Sequence, residues 1–237
     1  MRILLSLAAL ILTAHPALAQ DLQEKLDAKK SAFEQSAEPQ KIKDYDEGIE
    51  LVRQSGVLDK ALNVGDSAPG FTLPDAAEND VTLADLLADG PVVMVWYRGE
   101  WCPYCNIQLE DIQNHIGAFN EAGAQVVAIS PEMPDRGWAL QDRMAIDFHV
   151  LSDAKSAVGK QYGVVYELPP KIAGYYQDAF DLHGKNADDS NLLPLAAAYV
   201  IDQQGVITYA YLDADYRKRA ETSVLLDEVK ALGNSAE

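Results

Sequence analysis

The chain has 237 residues, 48% apolar, 24% charged and 8% aromatic, a globular composition that excludes disordered and low-complexity classes. Acids outnumber bases 37 to 19, and the formal charge of -18 excludes nucleic-acid binding through a basic face. Two cysteines are too few for a disulfide scaffold or a four-cysteine zinc site.

Arg2, the apolar stretch Ile3 to Leu12 and the triplet Ala17-Leu18-Ala19 have the pattern of a secretory signal peptide over residues 1–19. The stretch is too short to span a bilayer, and no cysteine follows the cut to accept a lipid. The sequence therefore predicts a mature chain from Gln20, periplasmic or secreted, with no membrane insertion. Residues 20–60 read as a helical extension. Leu22, Leu26, Ala32 and Phe33, then Ile42, Tyr45, Ile49 and Val52, recur at helical intervals, divided by Pro39 and stopped by Gly56. Such an extension either binds a partner or packs on the main domain, and packing is the expectation.

Residues 61–237 read as one domain without an internal repeat. A short strand at Phe71-Thr72-Leu73 and a helix over Val81 to Leu87 precede Val92 to Tyr97, a continuous apolar run expected of a strand buried on both faces. Cys102 to Ala122 carries a helical pattern ended by Gly123. Strands follow at Gln125 to Ser130 and Phe148 to Leu151, with a helix over Asp135 to Ala145 between them. A helix over Ala154 to Tyr162 leads into Glu167 to Leu193, which is poorly patterned and reads as a lid or an embellishment. Strands Ala197 to Ile201 and Val206 to Leu212 form a hairpin, and a helix closes the chain from Thr222 to Leu232. Strand–helix alternation ending in a hairpin and a helix predicts an α/β fold, a mixed central sheet flanked by helices.

Both cysteines lie in Cys102-Pro103-Tyr104-Cys105, between the buried strand and its helix. Cys102 sits at the helix start, where free backbone N–H groups and the dipole favour a thiolate. Pro103 suits the first helical position. Cys105, three residues on, faces the same side and can close a small disulfide with Cys102. The outer sulfur is expected to attack, because the helix screens the inner one. Arg98 would depress a thiolate pKa and Glu100 raise it. Trp96, Trp101 and Tyr104 form either a substrate platform or packing over the disulfide. Glu132 reads as a solvated loop acid or a second base, and His115 and His149 as ordinary packed or surface residues. Zinc would need two further ligands from His115, His149 or His183, none at ligand spacing, so no metal or cofactor is expected beyond the cysteine pair.

Phe71-Thr72-Leu73-Pro74, Val92 to Tyr97, Arg98-Gly99-Glu100-Trp101-Cys102-Pro103-Tyr104-Cys105, Val127 to Glu132, Leu151-Ser152-Asp153, Tyr162-Gly163-Val164 and Tyr199 to Asp202 occur in this order. Together they resemble the alkyl hydroperoxide reductase/thiol-specific antioxidant family, the peroxiredoxin-like branch of the thioredoxin-fold superfamily, over roughly residues 64–233. The resemblance implies a thioredoxin-like fold, with Cys102 reactive and Cys105 resolving. It implies a hydroperoxide or disulfide substrate, and an external dithiol reductant such as a thioredoxin-like protein. The chain departs from the family at Gly99, where a Thr or Ser is usual, at Val95, where Pro is usual, and at Ala196, where an Arg is usual. Three readings stand: a thiol peroxidase slowed by those missing donors, a thiol–disulfide oxidoreductase acting on protein disulfides, and a non-catalytic binding module with a structural disulfide.

Overall fold

The computed structural model describes residues 22–234, so the signal peptide read over residues 1–19 lies outside the described residues. Two helices come first, α1 (Leu22–Ser36) and α2 (Pro39–Gln54), followed by the single turn α3 (Val57–Lys60). A hairpin of β1 (Thr72–Pro74) and β2 (Asp80–Thr82) precedes α4 (Leu83–Asp89), whose N-cap Thr82 accepts the Asp85 N–H through its hydroxyl at 3.0 Å. Next come β3 (Val92–Trp96), α5 (Pro103–Asn114), α6 (Ile116–Glu121), β4 (Gln125–Ser130), α7 (Pro134–Met144) and β5 (His149–Ser152). After one 3₁₀ turn come α8 (Ala157–Gln161), β6 (Val165–Glu167), α9 (Pro170–Phe180), α10 (Leu182–Asn186) and β7 (Leu192–Pro194). The chain closes with β8 (Ala196–Ile201), β9 (Ile207–Asp213) and α11 (Thr222–Asn234).

The central sheet runs β5-β4-β3-β8-β9. Strands β3, β4 and β5 are parallel, whereas β8 is antiparallel to both β3 and β9. The mixed α/β architecture expected from the sequence is thus present. All five residues of β3 are buried, and their alternation divides the core. Val93 and Val95, with Tyr97 beyond the strand, face Leu109, Ile112 and Leu225 of α5 and α11. Val92, Met94 and Trp96 face the other layer with Tyr162 and Tyr199. Trp96 therefore packs at a tilt against Tyr162, ring centroids 4.9 Å apart, on the sheet face away from the cysteines.

Two expectations change. The single helix read from Cys102 to Ala122 breaks at His115, whose ring Nδ1 pairs with the Asp111 carbonyl at 2.7 Å while its N–H turns to Ile112 O at 3.0 Å. The unpatterned segment after Glu167 is ordered: Pro170 opens α9, Asp181 ends it at φ 53°, and β7 pairs antiparallel with β6. Its buried residues Ile172, Ala173 and Tyr176 meet α2 closely. A Cβ on Gly48 of α2 would lie 2.7 Å from Ile172 Cγ1. Asp44 of α2 fastens the pair, accepting Lys171 Nζ at 2.6 Å and Tyr175 OH at 2.6 Å. These donors hold its carboxyl down at about 2.

Candidate active site

The continuous apolar run of β3 carries the chain to the carboxyl end of the sheet, where open α/β folds place their sites. There Pro103 sets the first turn of α5, and Cys102 caps it in an extended conformation, φ -85°, ψ 108°. Both cysteines are free thiols, and as residues they are 1% and 0% exposed respectively. Their surroundings differ. Cys102 lines a cavity of about 320 Å³, together with Arg98, Trp101, Pro103 and Tyr104, whereas Cys105 stands behind it.

Cys105 Sγ accepts two donors, Arg219 Nη2 at 3.1 Å and the Arg98 backbone N–H at 3.5 Å. Burial opposes its ionisation. The shared Cys102 hydrogen bond, both guanidinium groups and the Arg98 N–H outweigh burial and hold Cys105 below the ordinary thiol range. Cys102 is pushed the opposite way, first by burial and then by the proton it shares with Cys105. Within this coupled pair the surroundings thus favour ionisation at Cys105, beside Arg219, over ionisation at Cys102.

Arg98 is 1% exposed, yet no salt bridge reaches it or Arg219 among the described residues. Its guanidinium lies over three rings, 4.0 Å from the Tyr216 centroid, 4.8 Å from Tyr176 and 5.2 Å from Trp101. Its Nε and Nη2 have no hydrogen-bond partner. A buried cation facing an open cavity without a carboxylate is a donor set for an incoming oxygen.

Glu100 does not oppose the cysteines. Although partial burial acts the other way, Lys185 Nζ at 2.6 Å and Arg143 Nη1 at 3.0 Å hold it ionised below the usual range. Glu132 departs from the solvated loop acid read in the sequence: it is 1% exposed, and burial pushes its carboxyl up to about 8. One of its oxygens accepts the Glu100 N–H at 2.6 Å, and the other has no partner. Gly99 explains the missing hydroxyl. At φ 153°, a Cβ there would lie 2.2 Å from Trp101 Nε1 and 2.8 Å from Glu132 Oε1, so Thr or Ser does not fit.

Trp101 and Tyr104 both reach the cavity, Trp101 stacking on Phe180 at 4.8 Å and Tyr104 meeting Tyr216 edge-on at 5.6 Å. His183 pairs with Asn191 at 3.0 Å, and no group of residues suited to a metal ion occurs among the described residues. Sequence reasoning missed Arg219, which reads as part of a solvated basic run with Arg217 and Lys218. It also missed the cavity walls from Phe33, Tyr45, Tyr176 and Phe180, which no local motif ties to the cysteines.

The profile of the AhpC/TSA family matches residues 64–210. A Mycobacterium tuberculosis protein named as a peroxiredoxin is 32% identical over 149 residues, 63% of this chain and 84% of its own. Peroxiredoxin Bcp of Escherichia coli is 30% identical over 103 residues, 44% and 65% of the two chains. Among solved structures, peroxidoxin BcpB from Mycobacterium tuberculosis superposes with a TM-score of 0.58 at 23% identity, covering 72% of this chain and 98% of its own. That likeness concerns the fold, which is thioredoxin-like.

Proposed function

The chain belongs to the AhpC/TSA family of thiol-dependent peroxidases, and from that premise we propose that Cys102 is the sulfur that attacks the hydroperoxide. One observation carries the assignment: Cys102 opens on a cavity holding the unpaired Arg98 guanidinium, while Cys105 stands behind it under Arg219. As the hydroperoxide enters, the Cys105 thiolate takes the Cys102 proton, and Cys102 Sγ attacks the terminal oxygen. The O–O bond breaks, Cys102 becomes a sulfenic acid, and the departing alkoxide recovers the proton from Cys105 as an alcohol. The Cys105 thiolate then attacks the sulfenic sulfur, forming the disulfide and expelling hydroxide. An external dithiol of the thioredoxin-like kind restores both thiols and is itself oxidised.

Arg98 supplies the guanidinium that the family resemblance sought at Ala196, which is buried at the start of β8. Trp101 and Tyr104 shape the approach, and Pro103 fixes the turn. The alternative of exchange with protein disulfides asks for an exposed groove around Cys102, and the burial of that residue argues against it. The same proposal takes residues 1–19 as a signal peptide, 20–60 as a helical extension and 61–237 as the catalytic domain, exported to the periplasm or beyond. The leader pattern of Arg2, Ile3 to Leu12 and Ala17-Leu18-Ala19 supports this.

The test is stopped-flow tryptophan fluorescence of the reduced protein mixed with peroxide, with Trp101 as the reporter beside Cys102. Quenching at a rate proportional to peroxide is expected, together with a sulfenic acid on Cys102 in Cys105→Ser. Inertness to peroxide with ready oxidation by glutathione disulfide would transfer the assignment to disulfide exchange.

A further inference from the structure

The cavity in front of Cys102 is far larger than its smallest substrate. Hydrogen peroxide needs little more room than one or two waters, each with about 30 Å³ of liquid volume, whereas the cavity holds about 320 Å³. Its walls are aromatic: Phe33 from α1, Tyr45 from α2, Tyr176 and Phe180 from α9, Trp101 from the motif loop and Tyr216 after β9. The unpartnered Arg98 N–H groups lie at this site with Cys102. Lys29 and Ser36 of α1 also line the chamber, but its walls are mostly aromatic, and Arg98 is the cation buried beside Cys102. A mostly apolar chamber with a polar anchor at the sulfur suits a molecule with a small polar end and a hydrocarbon body.

We propose that the cavity selects a hydroperoxide bearing an aryl or branched hydrocarbon group over hydrogen peroxide, and that Phe33 sets this preference. The inference rests on the peroxidase reading of Cys102. The hydroperoxide end meets Arg98 and Cys102, and the hydrocarbon displaces water from the rings. Phe33 lies on the part of α1 beyond its two buried residues, Leu22 and Leu26, and meets Tyr45 edge-on at 5.5 Å. It is half-buried, so substitution reshapes the chamber while the N-terminal turn of the helix stays seated. Position 33 also precedes residue 64, where the family match begins. Phe33 therefore adds to the chamber from the extension of this chain, whereas Trp101, Tyr176 and Phe180 add to it from within the matched residues.

The experiment compares kcat/KM for cumene hydroperoxide and hydrogen peroxide in the parent chain, Phe33→Ala and Phe33→Trp, with circular dichroism to check folding. The parent is expected to favour cumene hydroperoxide by at least about tenfold, the scale on which small apolar contacts discriminate substrates. In Phe33→Ala, which removes a wall, and in Phe33→Trp, which narrows the chamber, the ratio of the two values is expected to fall at least about fivefold. Equal values for the two peroxides in the parent would overturn the preference, and a ratio unmoved by both substitutions would overturn the role of Phe33. Failure of both peroxides to oxidise Cys102 would overturn the proposal together with the peroxidase reading, and mass spectrometry of Cys102 separates these outcomes.

Discussion

The motif loop and the arm that roofs it share one cavity, but they are held in different ways. Arg98, Cys102 and Cys105 are essentially sealed, fixed by the strand before them, the helix after them and a guanidinium on each side. Helix α1 buries only Leu22 and Leu26, and is otherwise tied down by Lys25 to Asp111 at 2.6 Å and by the Gln23 N–H to Glu221 at 2.9 Å. Bond-making requires positions fixed to fractions of an ångström, and densely packed elements provide that. Selecting a substrate requires only a shape, which a lightly packed helix provides and can change at little cost to stability.

The largest effect should come from the sealed region. Cys102→Ser is expected to abolish peroxide consumption, while Cys105→Ser still forms a trappable sulfenic acid. Trapping of the sulfenic acid followed by mass spectrometry is the check; a sulfenic acid formed on Cys105 in Cys102→Ser would invert the assigned roles. Next in size is Arg219→Met, which removes the cation 3.1 Å from Cys105 Sγ. Because Arg219 lowers the pKa of the pair, its loss should move the pH profile of oxidation upward and slow the reaction at neutral pH by about tenfold or more. An unmoved profile would reduce Arg219 to a packing role.

Gly99→Ala tests how tightly the loop is packed. Its Cβ would collide with Trp101 and Glu132, and a loss of about 1–3 kcal/mol is expected in urea unfolding. The smallest effect belongs to the outer region. Asp44 is held at about 2 in the folded chain by its clasp to α9, against an unfolded value of about 4. Its stabilisation is therefore present above about pH 4 and lost as pH falls towards 2. Asp44→Asn should accordingly melt earlier than the parent at pH 6, with the gap closing by pH 2; a gap that persists there would separate the clasp from the charge of Asp44.

The sealed region was also the legible one. An unbroken apolar run can be a strand buried on both faces, and a cysteine pair beginning with Cys-Pro marks a helix start, so β3 and the start of α5 follow from local pattern. Segment 167–193 was not legible: α9 spaces Ile172, Tyr176 and Phe180 at helical intervals for only eleven residues before the left-handed Asp181, and α10 is five residues long. Arg219 was missed and Glu132 misjudged for a related reason. Charged side chains in loops look solvated in a sequence, and only tertiary packing shows that these are sealed against the back of the motif.

The two guanidinium groups without carboxylates bear on the redox poise of the protein. In the dithiol form, the thiolate shared by Cys102 and Cys105 neutralises part of their charge. Forming the disulfide removes that anion and leaves Arg98 and Arg219 buried with nothing to offset them. On the proposed cycle the oxidised state is thereby penalised relative to the reduced one, and the reduction potential of the couple is expected to be raised. A structural disulfide lies at the opposite extreme, resistant to reduction; the expectation here is a disulfide that an external dithiol reduces readily.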